Sequence, residues 1–148
     1  MPQRIMNSRL IMTSAAIFLG LAGVACLFLP DEVLKLYSID SSTSSVQTQS
    51  QTAGAQILIQ ILGGCFLALA SLDWFSKRAM LGGIYGRPVV GTNYAHFVIG
   101  SLVMAKVLIG ADEGVCRPQV WITLVVYVLF AIAFSFMMFG KPKLPQRD

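Results

Sequence analysis

Charge is scarce in this chain and histidine nearly absent. Only 12% of its 148 residues are Asp, Glu, Lys or Arg, and His96 is the one histidine. The three cysteines, Cys26, Cys65 and Cys116, form no CxxC pair. A disulfide-exchange enzyme needs a reactive pair that this chain lacks. No cluster of His, Cys or carboxylate has metal-ligand spacing, so no metal site is expected. Haem held by two histidines would require a symmetric partner chain. The glycine-rich stretch before Arg87 lacks the GK[ST] ending of a nucleotide loop. The residues therefore assign no catalytic group and no cofactor.

Long apolar runs fill the space that these absences leave. They are Leu10–Leu29, Ala53–Phe75, Val89–Ile109 and Val120–Phe139. A helix rises ~1.5 Å per residue, so roughly twenty apolar residues cross a hydrocarbon core of ~30 Å. Four such runs predict an all-α, polytopic membrane protein, folded as one transmembrane domain over residues 1–148. Gly23-Val24-Ala25-Cys26 has a faint lipoprotein look. The apolar run nevertheless continues to Leu29 without the polar stretch expected after cleavage, so an uncleaved first span is expected.

The basic residues follow the spans. Arg4 and Arg9 precede span one, Lys77, Arg78 and Arg87 lie between spans two and three, and Lys141, Lys143 and Arg147 follow span four. The other two loops carry Lys35 and Arg117 against Asp31, Glu32, Asp40, Asp112 and Glu113. This positive-inside asymmetry predicts both termini in the cytoplasm, with residues 30–52 and 110–119 outside. The net charge of +4 then faces anionic headgroups, and no nucleic-acid partner is needed to explain it. Lys77, Arg78, Arg87 and Lys106 are the expected headgroup contacts, Lys106 by snorkelling from near the outer end of span three.

Between spans one and two, Pro30–Ile39 reads as a short helix with Asp31 and Glu32 in its first turn, where they favour the helix dipole. It is expected to lie on the outer membrane surface. Residues 41–52 are polar, low in complexity and expected to form a loop. Pro88 suits the first turn of span three. Trp74 and Tyr85 near the inner interface, and Trp121 and Tyr37 near the outer, fit aromatic belts. Cys26 and Cys116 both fall towards the outer side, where an oxidising compartment could join them. Their plainer reading is small apolar filler.

Helices in lipid associate through small residues and polar glue. Each span offers such a stripe. Span one has Arg9, Thr13, Ala16, Gly20 and Gly23. Span two has Gln56, Gln60, Gly63, Gly64, Leu67 and Ser71. Span three has Asn93, His96 and Gly100, and span four has Thr123, Tyr127, Ala131 and Ser135. With Leu, Ile, Val, Phe and Met covering the rest, an antiparallel four-helix transmembrane bundle is expected. Gly20, Gly64 and Gly100 are expected at helix contacts. Thr13, Ser71, Asn93 and Ser135 fall ~6–8 Å inside the inner boundary, with His96 a turn deeper. They predict an inner polar binding layer, and Gln56, Gln60, Thr123 and Tyr127 predict an outer one.

An ionisable residue inside the membrane is a functional candidate by default. His96 could accept a proton or hold a polar substrate. Its plainer role is glue, hydrogen-bonded to Asn93, Ser71 or Thr13. No carboxylate is counted within the spans. Asp73, the only nearby acid, is assigned to the inner end of span two, on a different side from Ser71.

The runs LFLPDEVLKLYSID and GRPVVGTNYAHFVIGSL resemble small four-span bacterial inner-membrane proteins of unknown function, loosely grouped with the DoxX-like proteins. The resemblance spans nearly the whole chain in layout. It implies a four-helix bundle in a prokaryotic inner membrane and carries over no catalytic residue. Three readings of function stay open. One is a non-catalytic accessory subunit or self-associating bundle that binds protein partners or lipid. A second is a small transporter or channel for a solute or proton. The third is a membrane enzyme acting on a lipid or quinone near His96 and Arg87. A water-filled cavity joining the two polar layers would favour transport, and a dry middle would favour the first reading.

Overall fold

The computed structural model describes the backbone of residues 2–37, 49–79, 86–110 and 118–139, and the side chains of residues 8–37, 53–76, 87–110 and 118–139. The described residues form five helices: α1 (Pro2–Phe28), α2 (Pro30–Tyr37), α3 (Gln49–Ala79), α4 (Gly86–Ile109) and α5 (Pro118–Phe139). There is no strand among the described residues. Four of the helices are long and apolar enough to cross a membrane, over Ser8–Phe28, Ala53–Ser76, Arg87–Gly110 and Pro118–Phe139. These are the four expected spans with ends moved by at most two residues, the first now stopping at Phe28 before Leu29. The expected loop at 41–52 loses its last four residues to α3, because adding turns to an existing helix is cheap once it is nucleated. Cys116 and Tyr85 lie outside the described residues, as do the side chains of Lys77 and Arg78.

Pro30 separates α1 from α2. Proline cannot donate a backbone hydrogen bond and restricts the residue before it, here Leu29. The ladder nevertheless carries on, with Leu29 N–H donating to Ala25 O at 2.9 Å and Val33 N–H to Leu29 O at 3.0 Å. The chain turns at the end of α1 without fraying. It lays α2 over one end of the bundle, in contact with α1, α3 and α5. Val33 and Leu34 are half-buried, while Asp31, Glu32 and Lys35 are exposed. Lys35 and Glu32 pair at 3.1 Å on the outer surface of α2.

The four spanning helices are antiparallel. Gly20 meets Ala70 and Gly23 meets Gly63 between α1 and α3. Asp73 meets Asn93 between α3 and α4, and Gly100 lies under Tyr127 between α4 and α5. Packing is closest within the pairs α1/α3 and α4/α5, and much sparser between the pairs. The bundle is thus two tight hairpins joined along a seam.

Buried residues recur at steps of three, four or seven, apart from the adjacent pair Ala15 and Ala16. They are Met12, Ala15, Ala16, Leu19, Gly23 and Cys26 on α1, and Gly63, Phe66, Ala70 and Asp73 on α3. On α4 they are Val90, Asn93 and Phe97, and on α5 Val120, Tyr127 and Phe134. Such spacing suits left-handed, coiled-coil-like packing. The inward face of α3 corrects the expected stripe. Gln60, Gly64 and Ser71 are exposed and Gln56 and Leu67 half-buried, and only Gly63 of that stripe is buried. Phenylalanine, expected on the outer face, divides between the two sides: Phe28, Phe75, Phe136 and Phe139 are exposed, while Phe66, Phe97 and Phe134 belong to the core.

Candidate functional site

The close approach of α1 and α3 rests on two glycines. A Cβ added at Gly63 would lie 2.8 Å from Gly23 O and 2.9 Å from Cys26 Cβ. Gly64, the expected contact, has open space where a Cβ would stand. Its neighbour takes the role because one residue turns a helix by ~100°. Gly20 touches Ala70 at an ordinary distance, and the Tyr127 ring occupies the place of a Gly100 side chain.

Aromatic rings bind the two hairpins together. Phe97, fully buried, stacks on Phe130 with ring centres 4.8 Å apart and on Phe134 at 5.6 Å. It also meets Tyr127 edge-on at 5.3 Å. Phe18 of α1 reaches Tyr127 and Phe130, and Phe66 of α3 reaches His96. Ring pairs of this kind contribute ~0.5–1.5 kcal/mol each beyond simple burial. His96 lies among Phe66, Phe97 and Tyr127, and its Nε2 is buried without a hydrogen-bond partner. The glue role expected for it, bonded to Asn93, Ser71 or Thr13, is therefore absent.

The inner polar layer does not assemble as expected. Ser71 donates to Leu67 O in its own helix at 2.8 Å and lies in a groove with Ala16, Gly20 and Trp74. Ser135 lines a different groove with Tyr94 and Ser101, and Thr13 is half-buried. Asn93 instead donates to Asp73 Oδ1 at 2.5 Å and to Val89 O at 3.1 Å. Asp73 and Asn93 have no exposed surface. Asp73 is thus a fully buried carboxylate near the end of the candidate span Ala53–Ser76, which polarity-based reading passed over. Counting on from Gly63 by steps of three and four, through Phe66 and Ala70, would have found it.

Two of the four outer polar residues, Gln56 and Thr123, hold α2. Gln56 donates to Asp31 Oδ1 at 2.5 Å, tying the start of α2 to α3. Thr123 gives its proton to Gln119 O at 2.8 Å, so Tyr37 OH donates to Thr123 Oγ1, also at 2.8 Å. That second bond ties the end of α2 to α5. Gln60 reaches Leu27 O near the end of α1 at 3.5 Å, where helix carbonyls lack partners of their own. Tyr127 sits with the rings. Arg87 and Lys106 are exposed at opposite ends of α4.

Held in this way, α2 roofs a chamber of about 420 Å³. Phe18, Ala22, Cys26, Ile59, Phe66 and Tyr127 form its walls, with Val33 and Leu34 above. Exposed Leu36, Tyr37 and Leu62 flank it. The volume falls within the ~300–1,000 Å³ usual for small-molecule sites, and the walls are apolar as such sites are. Nothing in them offers a nucleophile beside a base. Among the described residues no three His, Cys, Asp or Glu side chains come together as a metal site. Comparison with protein-family models, with characterised proteins and with solved structures finds no match to this chain.

Proposed function

We propose that this chain is a non-catalytic lipid-binding protein of a bacterial inner membrane, with both termini in the cytoplasm. It works as an accessory subunit or self-associating bundle, and membrane lipid is its first partner. The observation that carries this reading is the apolar chamber beneath α2. It lies at membrane depth beside lipid-facing leucines, and its walls match an acyl chain in polarity. The layout of four spans accords with the DoxX-like resemblance. The rings of Phe18, Phe66, Phe97, Tyr127 and Phe130 stand between the polar groups at the two ends. A dry middle of that kind supports binding over transport.

The test is native mass spectrometry of the protein released from nanodiscs of phosphatidylethanolamine and phosphatidylglycerol. The wild type should retain one lipid. Ala22→Phe, which puts a ring into the chamber, should lose it, and Tyr37→Phe, which unties the end of α2, should exchange it faster. Equal lipid retention by wild type and a folded Ala22→Phe protein would refute the reading.

A further inference from the structure

A side-chain hydrogen bond from Asn93 to Asp73 crosses the seam between α3 and α4. Its chemistry is incomplete. Asn93 has two amide hydrogens and spends both, one on Asp73 Oδ1 and one on Val89 O. That leaves Asn93 Oδ1 and Asp73 Oδ2, both buried and both without a partner. Two acceptors with no donor are costly in a dry interior. A carboxylic acid and a primary amide are complementary along one edge. The amide N–H donates to the acid carbonyl, and the acid O–H donates to the amide carbonyl. The first of those bonds is present here. The two atoms needed for the second are the two that stand unpartnered.

We propose that Asp73 and Asn93 form a proton-binding site. Asp73 takes one proton from water onto Oδ2, becoming a carboxylic acid, and donates it to Asn93 Oδ1. Release returns the proton to water and leaves a carboxylate with a single hydrogen bond at membrane depth. Proton occupancy thereby couples to the closure of the seam.

No described cation competes for this carboxylate. On α4, His96 lies one turn beyond Asn93 with its ring among aromatic neighbours, and Arg87 is exposed at the helix start. On α1, the pairing of Gly20 with Ala70 puts Ile17 level with Asp73, and the exposed Arg9 about two turns away. The half of α5 after Tyr127 has no titratable residue. On α3 itself, Lys77 and Arg78 follow one turn later, and their side chains lie outside the described residues.

Infrared spectroscopy of the full chain in phosphatidylethanolamine–phosphatidylglycerol vesicles tests the site. At pH 6, a water-exposed aspartate with a pKa of ~3.9 is about 99% ionised and has lost its carboxylic-acid C=O band. The wild type should keep one such band at this pH. Asp73→Asn should abolish the band while preserving the pairing as amide with amide. Asn93→Ala removes the donor to the acid carbonyl and should move the band to higher frequency. That shift assigns the band to Asp73 even if Asp73→Asn does not fold. No acid band in the wild type at pH 6, or a band that neither substitution alters, would overturn the proposal.

Discussion

Two adjacent glycines, Gly63 and Gly64, should respond in opposite ways to the same substitution. An alanine Cβ at Gly63 would stand 2.8 Å from Gly23 O, 2.9 Å from Cys26 Cβ and 3.0 Å from Leu27 N. Comfortable separations are ~3.5–4.0 Å, so α1 and α3 must part by about 0.5–1 Å. A gap of that size forfeits a quarter to a half of the attraction at each affected atom pair. Overpacking in well-fitted cores costs ~1–3 kcal/mol. Two of the three opposing atoms are backbone and cannot rotate away, so Gly63→Ala belongs in the upper half, at ~2–3 kcal/mol. At Gly64 the new methyl meets open space. Alanine is a better helix former than glycine by up to ~1 kcal/mol, so Gly64→Ala should be neutral or slightly stabilising. Unfolding by sodium dodecyl sulfate in mixed micelles, followed by tryptophan fluorescence, reads both variants. Equal losses, or a loss at Gly64 alone, would refute the packing, because α3 would then have to be rotated by ~100°.

Two further outcomes follow from the same geometry and from the charges. Gly100→Ala drives a methyl into the Tyr127 ring and should cost ~1–3 kcal/mol. Tyr127→Leu should recover part of that loss, with a coupling of ~0.5–3 kcal/mol in a double-mutant cycle, whereas simple additivity would mean that the two residues do not touch. In a background without native cysteines, a cysteine at Ser44 should label from outside intact cells and one at Gly83 should not, as the Lys and Arg asymmetry requires. The reverse pattern would invert the proposed topology.

The four spans were legible because bilayer thickness is a blunt constraint that composition alone can meet. The helix Pro30–Tyr37 was legible from its proline start and its acidic first turn. The rotation of α3 was not. Polarity served as the sign of an inward face, yet hydroxyls in a helix can bond their own backbone. Ser71 does so to Leu67 O, Thr92 to Pro88 O and Ser101 to Val98 O. A serine satisfied in this way pays little for facing lipid, so it carries no directional information. Gln56 was polar for another reason, to hold α2. The chamber was also beyond reach, since it depends on where α2 lands and the sequence shows only that such a helix exists.

The division into two hairpins has a consequence for biogenesis. Each tight pair consists of consecutive spans, α1 with α3 and α4 with α5. The first pair is complete once Ala79 has been synthesised, before any of α4 exists. Nascent chains fold from the N-terminus as they emerge, so insertion is expected to run as two events followed by one docking step. In the interval the first hairpin presents Phe66 and Asp73 to the bilayer without Asn93 or the rings of the second hairpin. The half-built protein is therefore a distinct client for the insertion machinery, and it carries an uncovered acid that only its own later sequence can shield.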